Sequence, residues 1–181
     1  NKVLANTLTC NSIYLRQIMQ QYAAGKSDDL AYRLARRNAH NADAALSTTL
    51  ANMLMEPGHF RKEADVGFRF LVLSHTLLSY LSGLGAHRGT QLPAEVREHL
   101  IDEAGNSLAA SIDEIATGLA NKQPIAIQSD AEETLATDLE QMPDEIDEGQ
   151  RLVQTQLALI CRQLGPLRTL AAHLIKDTEA T

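Results

Sequence analysis

The residues able to do chemistry are few, and their spacing argues against catalysis. The chain holds 6 histidines and 23 acidic residues. A carboxylate-bridged metal bundle needs Glu-x-x-His on two helices and a glutamate from each of two others. The one such spacing, Glu56-Pro57-Gly58-His59, straddles a helix breaker and cannot present both groups on one turn. His40-x-x-Asp43 and His99-x-x-Asp102 have helical spacing, but each is a lone pair of the kind that caps, ion-pairs or meets solvent. His75 lies inside an apolar run and reads as a core histidine held by a backbone carbonyl or a nearby hydroxyl. Cys10 and Cys161 make no CxxC and no zinc spacing; free thiols in a reducing compartment are the preferred reading, with a Cys10–Cys161 bridge as the alternative. Nucleophile elbows, phosphate loops and dinucleotide fingerprints are absent. The sequence therefore predicts no catalytic residue, no metal site and no cofactor. This chain is not expected to be an enzyme.

Charge offers a different kind of site. Arg33, Arg36, Arg37 and His40 fall at i, i+3, i+4 and i+7 and would share one helix face. Two readings stay open: a solvated surface partly paired with Asp43, or a contact for anionic lipid headgroups or an anionic solute. The formal net charge of −7 is unevenly spread. Residues 1–62 hold eight Lys/Arg against four Asp/Glu, whereas residues 93–181 hold six against seventeen. The stretch 130–148 alone has nine acids and no base, and reads as a solvated, mobile face or as a dock for a basic partner. An acidic chain without clustered groove-reading bases is not a nucleic-acid binder.

The elements that must position these residues are helices. With 27 Leu and 25 Ala against 5 Val, 4 Tyr, 3 Phe and no Trp, the inventory suits helices and not sheets. The fold class expected is all-α: an antiparallel bundle of about five helices in a single domain over residues 1–181. The first helix reaches about Tyr22–Ala23 on a seam of Leu4, Leu8, Leu15, Ile18 and Tyr22, with Asn11 filling the gap. Gly25 suits a left-handed C-terminal cap and Ser27 an N-cap. The second, about Asp28 to Met55, offers a small contact face of Ala31, Ala35, Ala42 and Ala45 before Leu46, Leu50 and Met53, and Glu56-Pro57-Gly58 stops it.

The third, roughly Arg61 to Leu84, has no formal charge from Phe70 onward and apolar residues on every face, which predicts the central buried helix; Gly83, Gly85 and Gly89 are expected to break it. Its polar residues and length fall short of a membrane span. The fourth opens at Pro93, uses Ile101, Leu108, Ile112, Ile115 and Leu119, and ends near Asn121–Lys122. Residues 124–143 read as a linker plus a short acidic helix. The fifth runs through Val153, Leu157, Ile160, Leu164, Leu167, Ala171 and Leu174 without a fault of phase, so Gly165-Pro166 is expected to kink one helix, not divide two.

Two stretches carry a resemblance. The segment from Ala31 through Arg33-Leu-Ala-Arg-Arg37 and His40 to Leu46, with Met55-Glu-Pro-Gly58, resembles the soluble C-terminal region of the YccS/YhfK family of bacterial inner-membrane proteins. So does Gly67-Phe-Arg-Phe70 through Ser74-His75 to Ser82, with the following Gly-Leu-Gly-Ala-His-Arg88. That family is similar to fusaric-acid-resistance and aromatic-acid-exporter proteins. The resemblance implies a non-catalytic cytoplasmic domain of an efflux-type transporter, serving regulation, assembly or stability of its own transmembrane region. The partners it implies are that region and an anionic lipid surface, and a homo-oligomer is compatible with it. Basic residues near membrane-helix ends mark the cytoplasmic side, which agrees with the net-positive first third. The competing reading is a free-standing helical adaptor that binds a partner protein in a groove.

Overall fold

The computed structural model describes residues 2–56 and 61–179, and all regular structure among them is helical. In chain order these are α1 (Lys2–Ala24), α2 (Leu30–Met55), α3 (Arg61–Ala86), a short α4 (Ala94–Val96) that passes through a π-helical turn (Arg97–Ile101) into α5 (Asp102–Asn121), α6 (Asp130–Glu140) and α7 (Glu148–Glu179). The five long helices match the sequence expectation. Paired contacts run α1 and α3 one way and α2, α5 and α7 the other: Gln21 with Asp29 and Tyr14 with His40, His40 with Ser82 and Asp43 with His75, Met19 with Gly105 and Ser12 with Ala109, Leu73 with Gln163 and Gly83 with Gln156.

Local chemistry explains most boundaries. Gly25 ends α1 at φ +96°, a conformation open to glycine, and its N–H bonds the carbonyl of Gln21 at 2.9 Å. The N-cap of α2 is Asp29, not Ser27 as expected: its carboxylate accepts from the Tyr32 N–H at 2.6 Å. The Ser27 hydroxyl instead lies 3.4 Å from that carboxylate and steadies it. Pro57, Gly58 and His59 of the expected stop lie outside the described residues, and Glu56 leaves the helix in extended conformation. Lys122, left-handed at φ 54°, ends α5. Ser129 caps α6 through the Glu132 N–H. Helix α7 continues through Pro166, whose missing N–H costs one hydrogen bond but leaves the seam from Val153 to Ala171 fully buried.

The packing corrects three expectations. Helix α3 is not the central element. Leu77, Leu78, Leu81 and Leu84 are buried, but Val72, His75 and Ser79 face solvent, so α3 has one inner side like its neighbours. The middle is shared: α1 packs on α2, α3 and α5, and α7 on α3, α5 and α6. Polar side chains of α3 read as neutral in a charge count, and hydroxyls are satisfied on an exposed helix face by the preceding turn, as Thr76 and Ser79 are. Next, Gly83 and Gly85 do not break α3. A Cβ on Gly85 would meet the Tyr32 hydroxyl at 2.8 Å and the Tyr14 hydroxyl at 3.2 Å, so this glycine is there for close approach. Finally, the buried face of α2 is Tyr32, Ala35, Ala39, Ala42, Leu46 and Leu50; Ala31 and Ala45 are exposed.

Candidate functional site

Arg33, Arg36, Arg37 and His40 do share one side of α2, within an arc of about 100° at 3.6 residues per turn, and all four are exposed. Their side chains differ in what holds them. The Arg33 Nε lies 3.4 Å from the Asp28 carboxylate, an open pair in water. Arg36 and Arg37 have no hydrogen bond or ion pair among the described residues. His40 turns toward α3, its Nε2 3.4 Å from the Ser82 hydroxyl, with its ring 6.4 Å from that of Tyr14. Arg16 and Lys2, also basic, do not join this face. Arg16 is bound at 2.6 Å to Asp113 on α5, and Lys2 stands at the far end of α1, a helix about 34 Å long at 1.5 Å per residue.

Behind the arginines lies a seam that sequence reasoning missed. Asp43 pairs with His75 across α2 and α3 at 2.8 Å and not with the arginines; its side chain is 15% exposed and that of His75 is 65% exposed. The expectation of a core histidine is therefore wrong. His75 sits at the rim of the α2–α3 contact, where a carboxylate replaces the expected carbonyl or hydroxyl. The second oxygen of Asp43 is buried and without a partner among the described residues. Toward the start of α2, the rings of Tyr14 and Tyr32 lie 6.0 Å apart, tilted at 56°, and the Arg88 guanidinium lies 4.2 Å over the Tyr32 ring, while its Nε donates to Gln21 at 2.8 Å. The Tyr14 phenol is pushed up to about 12, chiefly by burial and then by Tyr32, against smaller opposing effects of Ser82 and Arg36. These residues come from three helices and the turn after α3, so no local spacing announces them. A phenol with that pKa stays protonated at neutral pH and serves as a hydrogen-bonding group, not as a base.

A second polar centre lies at the other end of the sequence. Arg168 on α7, 2% exposed, donates to Glu132 of α6 at 2.9 Å, to Glu114 of α5 at 3.1 Å and to the Ala126 carbonyl at 3.3 Å. Burial would lower its pKa, but the bonds to Glu132 and Glu114 outweigh that and raise it. Nearly two turns earlier, Arg162 reaches Glu133 and Glu140. The acidic stretch is thus not a mobile face over residues 130–140, where it forms a capped helix clamped to α7. Cys161 donates to the Glu132 carbonyl, and burial, then Glu132, push its thiol up to about 11. A buried, protonated thiol is a poor nucleophile. Both cysteines are free. Among the described residues no three His, Cys, Asp or Glu converge as metal ligands, and no helix is long and apolar enough to cross a membrane.

Comparison with known proteins adds a relationship. The chain is 42% identical over 101 residues, or 56% of its length, to the inner membrane protein YccS of Escherichia coli, of which it covers 14%. It is 51% identical over 88 residues to an uncharacterized protein of Haemophilus influenzae, covering 49% of this chain and 12% of that one. A Neisseria gonorrhoeae protein named ORF2 is 37% identical over 78 residues, 42% of this chain and 19% of that protein. The chain thus spans less than a fifth of the curated relatives it matches. No protein-family model and no solved structure matches it.

Proposed function

From the YccS-like relationship that these partial matches support, we propose that the chain is a non-catalytic, cytoplasmic helical domain of an inner-membrane protein of efflux type, acting in its regulation, assembly or stability. The observation that carries the membrane-facing role is the exposed side of α2, where, among the described residues, Arg36 and Arg37 are committed to no carboxylate and Arg33 only to a solvated one. Guanidinium groups of this kind bind phosphate well, and cytoplasmic membrane surfaces are rich in it. Because α2 packs on α1 and α3 by its other side, this face lies along the flank of the bundle. The domain would therefore rest against the bilayer on its side.

Each basic residue near an anionic surface contributes about 1 kcal/mol, fading within a Debye length. Three arginines together can change affinity by up to about a hundredfold, enough to orient a tethered domain. The test is sedimentation of the 181-residue chain with phosphatidylglycerol vesicles at low salt, beside an Arg33→Gln/Arg36→Gln/Arg37→Gln variant. The wild type should bind and release with salt; the variant should lose that binding while its circular dichroism stays unchanged. A wild type that ignores the vesicles, or a variant that binds as well as it does, refutes the reading.

A further inference from the structure

The arginines of α2 have apolar neighbours that the burial pattern reveals. Leu30 and Leu34, one turn apart, are 70% and 51% exposed, although α2 has a well-filled inner face to receive leucines. At 3.6 residues per turn they lie beside Arg33 and Arg37, also one turn apart. The outer side of the helix then continues through Asn41, Ala44, Ala45 and Thr48, all exposed and none charged. The one acid of α2, Asp43, is turned to His75 on the α3 side. An outward helix face usually carries charges of both signs. This one carries two leucines, two arginines and no acid, answered only by Asp28 from the preceding turn.

We propose that the first turns of α2 form an interfacial helix that lies in the plane of an anionic bilayer, with Leu30 and Leu34 dipping between headgroups while Arg33 and Arg37 engage their phosphates. This rests on the membrane-facing reading above and adds insertion to it. Interfacial helices combine these two elements, apolar side chains to enter the acyl boundary and adjacent bases to hold the headgroups. Charge selects the occupant. A second copy docked on the same face would set arginines against a surface that offers no acid on α2 itself, whereas an anionic bilayer neutralises them wherever it touches. Asn41 and Thr48 further along can hydrogen-bond in the headgroup layer without cost to the helix.

The chain has no tryptophan, so Leu30→Trp places a single reporter on this face. Phosphatidylglycerol vesicles should shift its emission to the blue, and brominated acyl chains should quench it. Phosphatidylcholine vesicles should do neither, and Leu159→Trp, on an exposed position of α7, should not respond to either lipid. Leu34→Ser should weaken vesicle binding about tenfold with helicity unchanged. If the protein sediments with phosphatidylglycerol but the Leu30→Trp emission stays put, the arginines dock without insertion, and this inference falls while the membrane-facing reading stands. If no chain sediments at all, the membrane-facing reading itself fails, and this one with it. An emission shift that follows protein concentration in the absence of lipid would assign the face to a second copy and overturn the proposal.

Discussion

Arg168 on α7 and Arg37 on α2 carry the same guanidinium in opposite settings. The first is sunk beneath α6 with every arm engaged by Glu132, Glu114 or a carbonyl; the second stands in solvent with no bond among the described residues. The contrast extends to their surroundings. Around α7 the buried polar groups are answered: Gln154 reaches the Leu139 carbonyl and Cys161 that of Glu132. In the half built from α1, α2 and α3, Asn11 is buried with neither side-chain atom hydrogen-bonded among the described residues, and one oxygen of Asp43 is likewise alone there. Buried polar groups without partners cost stability, and natural proteins retain them chiefly where something other than stability is served. Among the described residues, the buried side-chain atoms left without a partner all lie on α1 and α2.

The comparison breaks most readily at Arg168. Replacing it by Ala leaves Glu132 buried and unpaired, and urea unfolding should show a loss of about 3–5 kcal/mol. The Glu114 arm, more than half exposed, contributes little to that figure. An Arg168→Met/Glu132→Leu double variant should recover most of the loss, because no orphaned charge remains. A single variant within about 1 kcal/mol of wild type would mean that α6 is held by apolar contact alone.

Asn11 sharpens the other side. It lies in the α1 seam with Leu8 and Leu15, where a leucine of similar size would end the desolvation penalty. Asn11→Leu is expected to stabilise the chain by about 1–3 kcal/mol, read as a higher midpoint at unchanged slope in the same unfolding experiment. Destabilisation would show that Asn11 finds a partner, such as a water, that offsets its burial. The smallest effect is expected at the exposed arginines. Arg36→Gln/Arg37→Gln should change stability by no more than about 0.5 kcal/mol, since neither side chain is bound among the described residues. A larger loss would place these residues among the structural ones and remove the contrast.

Much of this was decided locally, and so could be read from the chain. Leucine and alanine without β-branched bulk make helices; Gly25 supplies the left-handed turn; the three–four alternation from Val153 to Leu174 holds one phase across Pro166. Each follows from forces acting over a few residues. The grouping of Arg33, Arg36, Arg37 and His40 on one side of α2 is likewise a property of helix period alone. What only the tertiary structure decided is which partner each side chain meets. Whether Ser27 or Asp29 caps α2 depended on the path of a five-residue connection, and both have the chemistry to do it. The apolar run of α3 could not say that Val72 and His75 would be left at the rim, because neutrality is not burial. Glycines at 83 and 85 look like breakers until Gln156 of α7 comes up against the first, and Tyr14 and Tyr32 from two other helices fill the space a Cβ on the second would need. Arg168 lies 36 residues from Glu132 and 54 from Glu114, and nothing in its neighbourhood marks it as buried. Period and propensity act within a turn or two, whereas ion pairs and close approaches join residues that only packing brings together.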